Sequence, residues 1–294
     1  MVGEAASIGC AFTWSVTSIL LRSQSDKLDV LWLNTIRSAA GAVMVFGLAV
    51  ALRPVEAFTT IPAISLVLLA LSVGIGLAVG DTLYLRSLAQ IGVARAVPLS
   101  NVYPLFTMFI AMTLLGERLT WLNVLGVLVL VSAVYFLAFP AGAPSSAAAS
   151  LLDSRSAKGM LTCIAAALCW AIGTSIVKVA LQDVDFLVAN TLRLPMATLF
   201  VFLWASSSAG TESLRKAGRR SLGIVALTGF FGTGLGSTLF LVGVQFAGAA
   251  KAAPLSALSP LFAAPLSVLF LGERLNARII MGTALSLAGV WLVM

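Results

Sequence analysis

The stretch PLSNVYPLF at residues 98–106 occurs again as PLSALSPLF at residues 254–262. The pentapeptide LGERL at 115–119 also returns unchanged at 271–275. Both pairs are 156 residues apart. The same spacing aligns two further pairs: Trp14 with Trp170, and NTIR (34–37) with NTLR (190–193). One register without a net gap indicates that the chain is the duplication of a single unit.

The composition predicts a membrane protein. Of the 294 residues, 60% are hydrophobic and only 10% are charged, and the mean hydropathy is +1.06. A soluble domain carries about 25% charged residues. The apolar residues form long runs without strand-like alternation, which is typical of α-helical spans and not of a β-barrel. The expected surroundings are therefore the lipid bilayer, with the chain as a multi-pass protein of the cell membrane.

Charge and cysteine usage exclude several kinds of partner. The net charge of +7 is scattered over many loops, which fits membrane topology better than nucleic-acid binding. There is no His, and the three Cys lie in apolar runs, so neither a zinc site nor a disulfide framework is expected. We expect no metal and no cofactor.

Ten spans of suitable length can be placed between the polar clusters. They cover about 5–21, 30–52, 62–89, 94–115, 120–139, 160–177, 186–208, 221–246, 250–271 and 277–294. The Ala-, Ser- and Pro-rich stretch 140–157 is the predicted linker between a first repeat, 1–139, and a second repeat, 158–294. Because each repeat has five spans, the second must be inverted in the membrane. The predicted fold is all-α, with ten transmembrane helices as two inverted five-helix repeats.

The LGERL pentapeptide is interpreted as a tight hairpin between the fourth and fifth spans of each repeat. Gly116 and Gly272 are suited to ending a helix, and Thr120 and Asn276 are suited to capping the next one. The alternative interpretation is that its charges belong to a gate.

These features resemble the drug/metabolite transporter superfamily, EamA type. The resemblance rests on two five-span repeats, each with an Arg in its second span, a Pro-rich fourth span and an LGERL close, and it covers essentially the whole chain. It implies a ten-helix arrangement around a central pathway and the transport, often the export, of a small metabolite or drug without ATP.

Asp81 is the only acidic residue predicted deep within a span, and its counterpart in the second repeat is Ser237. A lone buried carboxylate can exchange a proton, so we expect either that Asp81 couples transport to protons or that it locks helices together as an ion pair. Arg86 is five residues further on the same helix and points to another face, so Arg37 is the expected partner.

Arginines within the spans are the other charged candidates. Arg37 and Arg193 occupy equivalent positions, and their shared role is interpreted as structural, with contact to an anionic substrate as the alternative. Arg86 is opposite Val242 in the register, so like Asp81 it is specific to one repeat.

Prolines should break the fourth span of each repeat, since proline removes a helical hydrogen bond. The predicted breaks lie at Pro98, Pro104, Pro254 and Pro260. Asn101 shares a helix face with Pro98 and Pro104 and is the favoured pathway residue, with helix packing as the alternative. Tyr103 is about 160° from Asn101 around an ideal helix, which predicts that the two do not face the same narrow pathway.

Aromatic and small residues complete the candidates. Trp14 and Trp170 lie within spans, so they are interpreted either as walls of a central cavity or as ordinary packing. The pairs Gly76/Gly80 and Gly232/Gly236 are predicted to allow close helix packing, and GFFGTGLGS at 229–237 is not interpreted as a phosphate loop.

The expected function is that of a secondary transporter, without enzymatic activity, which moves a small organic metabolite or drug by alternating access, and export is the favoured direction. The first alternative is an anion exchanger for sugar phosphates or nucleotide sugars, and a weaker one is an intramembrane lipid-modifying enzyme. Positively charged loops favour both termini outside the cytoplasm, whereas the family resemblance implies both inside.

Overall fold

The computed structural model describes residues 1–22, 24, 27–91, 96, 99–114, 120–138, 154–259, 261, 262, 266 and 277–293. Within these residues the regular elements are all helical. Six helices are long and apolar enough to cross a membrane, and three shorter apolar helices accompany them. The prediction of an all-α membrane protein is confirmed.

Ten helices, α1 to α10, form the frame among the described residues. In the first repeat they are α1 Val2–Arg22, α2 Val30–Leu52, α3 Ala63–Ile91, α4 Tyr103–Leu114 and α5 Trp121–Ala138. In the second repeat they are α6 Ser154–Ala180, α7 Phe186–Ser208, α8 Arg219–Ala247, α9 Ala249–Ser256 and α10 Ala277–Val293. A 3₁₀ turn, Val55–Phe58, and a short helix, Glu212–Lys216, lie in the α2–α3 and α7–α8 connections.

The helix bounds agree with the predicted spans except around the linker and the prolines. The last four residues of the predicted linker are helical, because SRSA at 154–157 contains nothing that prevents a helix from starting there. Residues 140–153 and both copies of LGERL lie outside the described residues.

The fourth span of each repeat is interrupted, but by turns that lie beside the predicted prolines, and the break predicted at Pro254 was wrong because that proline lies inside a helix. A turn at Asn101 and Val102 precedes α4, and the equivalent turn at Ala257 and Leu258 follows α9. Pro104 lies in the first turn of α4, and Pro254 lies inside α9. Pro98 and Pro260 lie outside the described residues.

Two aspartates begin equivalent helices in the two repeats. The Asp29 carboxylate accepts a hydrogen bond from the backbone N–H of Leu31 at the start of α2. Asp185, its counterpart 156 residues later, accepts from the N–H groups of Leu187 and Val188 at the start of α7. These caps satisfy backbone donors that no helical carbonyl can reach.

Both long helices α3 and α8 contain wide π turns, which the sequence did not predict. The π segment is Gly74–Gly80 in α3 and Gly229–Gly236 in α8. Gly248, with φ of 84°, then provides the left-handed residue that turns α8 directly into α9.

Glycines of the π segments allow two tryptophans to pack against backbone. A Cβ atom on Gly236 would lie 2.7 Å from Nε1 of Trp14, and one on Gly80 would lie 2.9 Å from Cδ1 of Trp170. The predicted packing role of these glycines is confirmed.

The two repeats pack against each other through equivalent pairs of helices. α1 of the first repeat packs on α8 of the second, and α6 of the second packs on α3 of the first. α2 packs against α7, and α5 packs against α10. Since each repeat contributes five membrane helices, the second repeat runs through the membrane in the opposite sense. The protein therefore has the architecture of two inverted five-helix repeats.

We predict that Gly229→Ala will destabilise the protein, because the new Cβ would lie 2.3 Å from the carbonyl oxygen of Arg37 and 2.7 Å from its Cα. Overpacking of this kind costs about 1–3 kcal/mol. The measurement is the thermal unfolding midpoint of protein purified in detergent.

Gly223→Ala, on the same helix, is the matched control. A Cβ there meets nothing within 4 Å, so its stability should equal or slightly exceed that of the wild type. Equal unfolding midpoints for the two variants would contradict the close approach of α8 to α2.

Candidate functional site

A cavity of about 180 Å³ lies between the two repeats. Its walls come mainly from α1 and α3 of the first repeat and from α6 and α8 of the second, with side chains from α2 and α7. Nine pairs of lining residues are 156 positions apart, among them Trp14 with Trp170, Arg37 with Arg193, and Asp81 with Ser237. The cavity therefore lies on the pseudo-symmetry axis.

Most of the residues singled out in the sequence line this cavity. Six of the seven pathway candidates do so: Trp14, Arg37, Asp81, Asn101, Trp170 and Arg193. They come from distant parts of the chain, and only the packing of one repeat on the other brings them together.

Arg86 is the candidate that the structure places elsewhere. Its side chain is exposed and does not line the cavity. The guanidinium carbon lies 5.4 Å from the centre of the Trp204 ring, a cation–π contact between α3 and α7.

Asp81 connects helices from both repeats. It follows the π segment of α3 and is only 9% exposed. The indole Nε1–H of Trp170 donates to its Oδ1 at 2.7 Å, and Nη2 of Arg37 lies 3.9 Å from its Oδ2. The expected pairing of Asp81 with Arg37 is confirmed, but the shortest contact of the carboxylate is with Trp170, which the sequence did not predict.

The equivalent tryptophan makes a different bond. Trp14 donates from Nε1 to the backbone carbonyl of Gly232 at 3.0 Å. Position 237, which is equivalent to Asp81, holds a serine whose hydroxyl bonds the carbonyls of Thr233 and Gly234. One half of the cavity thus places a carboxylate where the other half has only backbone and a hydroxyl group.

The two equivalent arginines also differ in their partners. Arg193 is 6% exposed, and its Nε donates to the hydroxyl of Ser72 at 3.1 Å. The Ser72 hydroxyl in turn donates to the carbonyl of Leu69. Nε of Arg37 is buried and has no hydrogen-bond partner within the described part of the structure.

Asn101 and Tyr103 both line the cavity, so the prediction that they could not share a pathway was wrong. The turn at Asn101 and Val102 interrupts the helix, and the 100° advance per residue does not hold across it. Tyr103 donates from its hydroxyl to the carbonyl of Ala253 at 2.9 Å and contacts Ser256. The side-chain amide nitrogen of Asn101, which is 8% exposed, has no hydrogen-bond partner among the residues that the structure describes.

Tyr84 is a cavity residue that the sequence analysis did not single out, and Tyr103 is one that it placed away from the pathway. Tyr84 is three residues after Asp81 and shares its helix face, and its ring centre lies 5.1 Å from that of Trp170. The sequence contained a signal for both tyrosines, because the residues 156 positions later, Phe240 and Ser259, differ from them. At both positions only the first repeat provides a phenol.

The lining residues that the structure describes carry two guanidinium groups and one carboxylate, which give a net charge of +1 when all three are ionised. Among the described residues, no group of three or more His, Cys, Asp or Glu side chains could hold a metal ion. The arrangement is suited to binding a ligand by hydrogen bonds, charge and aromatic contact.

Comparison with known proteins agrees with this architecture. The model of the EamA-like transporter family matches residues 1–139 and 157–294. A protein of Archaeoglobus fulgidus described as an uncharacterized transporter is 22% identical over 288 residues, which is 98% of this chain and 96% of that protein. A solved crystal structure superposes with a TM-score of 0.79 at 18% identity, covering 99% of this chain and 96% of the other.

We predict that Trp170→Phe will destabilise the protein more than Trp14→Phe. Both changes keep an aromatic ring, but the first removes a hydrogen bond to a carboxylate and the second removes one to a peptide carbonyl. Bonds to charged groups contribute about 1.5–3 kcal/mol, against about 0.5–1.5 kcal/mol for neutral ones. Chemical or thermal unfolding of the purified variants measures the difference, and equal losses would contradict the assigned asymmetry.

Proposed function

The chain belongs to the EamA-like transporter family, and from this we propose that its central cavity is the substrate site of a secondary transporter. The protein is a multi-pass membrane transporter; the proposal is that it moves a small organic metabolite by alternating access, in the direction of export. The observation that carries it is the cavity on the pseudo-symmetry axis, lined by nine pairs of equivalent residues. Inverted repeats let one site be reached from either side when the halves rock about it.

The size of the cavity supports a small substrate. Pockets for drug-sized ligands are usually ~300–1,000 Å³, whereas this cavity has about 180 Å³. A metabolite of low mass fits this volume better than a nucleotide sugar does. The second candidate function is the exchange of smaller anions, such as sugar phosphates, because two arginines line the cavity.

The two ends of the cavity differ. At the end of α1, Leu21 lines the cavity. Its equivalent on α6, Val177, is fully buried in a core cluster with Leu181, Val184 and Val188. We infer that the cavity is closed towards the α6–α7 connection and extends towards the α1–α2 connection.

An ion pair lies at the inferred closed end. Arg53, which ends α2, donates from Nε and Nη2 to the two carboxylate oxygens of Asp185 at 3.0 and 2.9 Å. These bonds raise the pKa of the Arg53 guanidinium. Among the described residues no equivalent pair forms with Asp29, because the position equivalent to Arg53 is Ala209. The pair therefore stabilises α2 against α7 at one end only.

Asp81 is the proposed coupling residue. It is the only carboxylate among the lining residues in the described part of the chain, and its equivalent is a serine, so proton exchange there would be specific to one repeat. The observation that favours a structural role instead is its contact with Trp170 and Arg37.

The proposed function predicts a difference in small metabolites between cells that express the wild type and cells that express Asp81→Asn. The variant removes the charge at the centre of the cavity, whereas the control Arg219→Gln removes an exposed charge at the start of α8. Untargeted mass spectrometry of cells and medium measures the difference. Identical metabolite profiles for wild type, variant and empty vector would contradict the proposal.

A metabolite identified in this way then tests coupling. In proteoliposomes with an imposed pH gradient, we expect Asp81→Asn to abolish accumulation against a gradient while exchange of substrate continues. Gradient-driven accumulation at the wild-type rate would contradict coupling through Asp81 and leave transport itself unaffected.

We predict that the end of the cavity towards the α6–α7 connection will open more often when the Arg53–Asp185 pair is lost. Asp185→Asn keeps the helix cap, because Asn caps as well as Asp, but it removes the charge. Since the pair is 30% and 35% exposed, its contribution is at most about 1 kcal/mol, which is about a fivefold change in population. The readout is labelling of Val184→Cys by an impermeant maleimide in a background without Cys10, Cys163 and Cys169.

Asp29→Asn is the matched control, because Asp29 caps α2 and the position equivalent to Arg53 holds Ala209. We expect labelling to accelerate by a few-fold with Asp185→Asn and to stay at the parent rate with Asp29→Asn. Equal rates in both variants would show that the pair does not hold this end closed.

A further inference from the structure

We propose that the ligand of the central cavity is a small organic monocarboxylate, whose anionic group is bound by Arg37 and Asn101 and whose apolar body packs against the aromatic walls. The inference rests on the proposed function of the cavity as a substrate site. It adds the chemical class of the ligand, which neither the family nor the similar proteins specify.

Three buried polar groups in the cavity lining have no partner among the described residues. They are Nε of Arg37, Nδ2 of Asn101 and the hydroxyl of Thr233. Buried polar groups in proteins are nearly always paired, because leaving one unpaired is costly. The first two groups can only donate and the hydroxyl can donate as well, so an acceptor is the kind of group that satisfies all three.

The first repeat supplies both groups that can only donate. The equivalent of Asn101 is Ala257, which has no polar side chain, and the Nε of Arg193 is already bound to Ser72. The anionic group of a ligand is therefore expected nearer the half that contributes Arg37 and Asn101, and the Thr233 hydroxyl is the unpaired group of the second repeat.

The charge of the cavity selects a single negative charge. Among the described lining residues, Arg37 and Arg193 contribute two positive charges, and Asp81 contributes one negative charge in its ionised form. With Asp81 ionised, a monoanion neutralises the remainder, a dianion leaves an excess negative charge in a low-dielectric site, and a cation adds to the positive excess. A carboxylate has both the charge and the two acceptor oxygens that a guanidinium edge and an amide can bind.

Aromatic rings surround the rest of the space. Trp14 stacks near Phe240, with ring centres 5.6 Å apart, and Trp170 contacts Tyr84 and Tyr103 at 5.1 and 6.0 Å. All five rings line the cavity. Such walls favour an apolar or flat body, and the volume of about 180 Å³ limits that body to a short chain or a single ring.

Four probes that share one ring separate the ligand classes: benzoate, phenyl phosphate, benzylamine and benzyl alcohol. Butyrate adds a carboxylate without a ring. The test is isothermal titration calorimetry of each probe against the full-length protein in detergent at neutral pH. We expect saturable binding of benzoate, and binding at least tenfold weaker for the cation and for the neutral alcohol.

Asn101→Ala is the main variant, because it reproduces the residue of the equivalent position, Ala257, and places no bulk in the cavity. Loss of one hydrogen bond to a carboxylate should weaken benzoate binding about tenfold or more. Arg219→Gln, which removes an exposed positive charge outside the cavity, should bind benzoate as the wild type does. Arg37→Gln should abolish the preference for benzoate over benzyl alcohol wherever the variant is folded.

Several results would overturn the inference. These are tighter binding of phenyl phosphate than of benzoate, equal binding of benzylamine or benzyl alcohol, and full benzoate affinity in Asn101→Ala. Absence of saturable binding by both benzoate and butyrate up to millimolar concentration would also overturn it. If the metabolite comparison still shows transport of another compound in that case, the proposed function stands and only the ligand class is wrong.

Discussion

Two close helix crossings hold the repeats of this protein together. At each crossing, a tryptophan from the first helix of one repeat lies directly on a glycine in the third helix of the other, with no room for a Cβ atom. Lipid offers little hydrophobic drive between helices, so contact between small residues and backbone must supply the attraction. Because Trp14 and Trp170 also border the cavity, the contacts that assemble the repeats and the walls of the site are the same residues.

The site combines a symmetric frame with asymmetric chemistry. Equivalent residues from both repeats form most of the lining, but the carboxylate, the two phenols and the free amide all come from the first repeat: Asp81, Tyr84, Tyr103 and Asn101. Their equivalents are Ser237, Phe240, Ser259 and Ala257. The duplicated helices determine where the cavity lies, and the sequence differences between the two repeats make its two halves chemically different.

The sequence predicted the helices well and the cavity in part. Hydrophobic run length and the 156-residue register determine the spans, so their bounds agree with the structure to within a few residues in most cases. The pairing of Arg37 with Asp81 could be deduced because helical geometry excluded Arg86. The bond from Trp170 to Asp81 could not, since it depends on how one repeat docks on the other. Asn101 and Tyr103 were placed on opposite faces because the position of the turn between them is a property of the tertiary structure.

The π segments have a consequence for how the chain tolerates changes in length. In an α-helix each residue advances by about 100°, so a single deletion normally turns every later side chain to a new face. A π turn accommodates an additional residue in the same rise, and π bulges are frequently found at functional sites. In α3 the segment Gly74–Gly80 sets the angular position of everything after it, including Asp81 and Tyr84. Removing one residue there would rewind the segment towards α geometry and leave the phase of Asp81 nearly unchanged, whereas the same deletion within Ala63–Val73 would turn the carboxylate off the axis. The phase of the helix, and not only its composition, is thus part of the binding site.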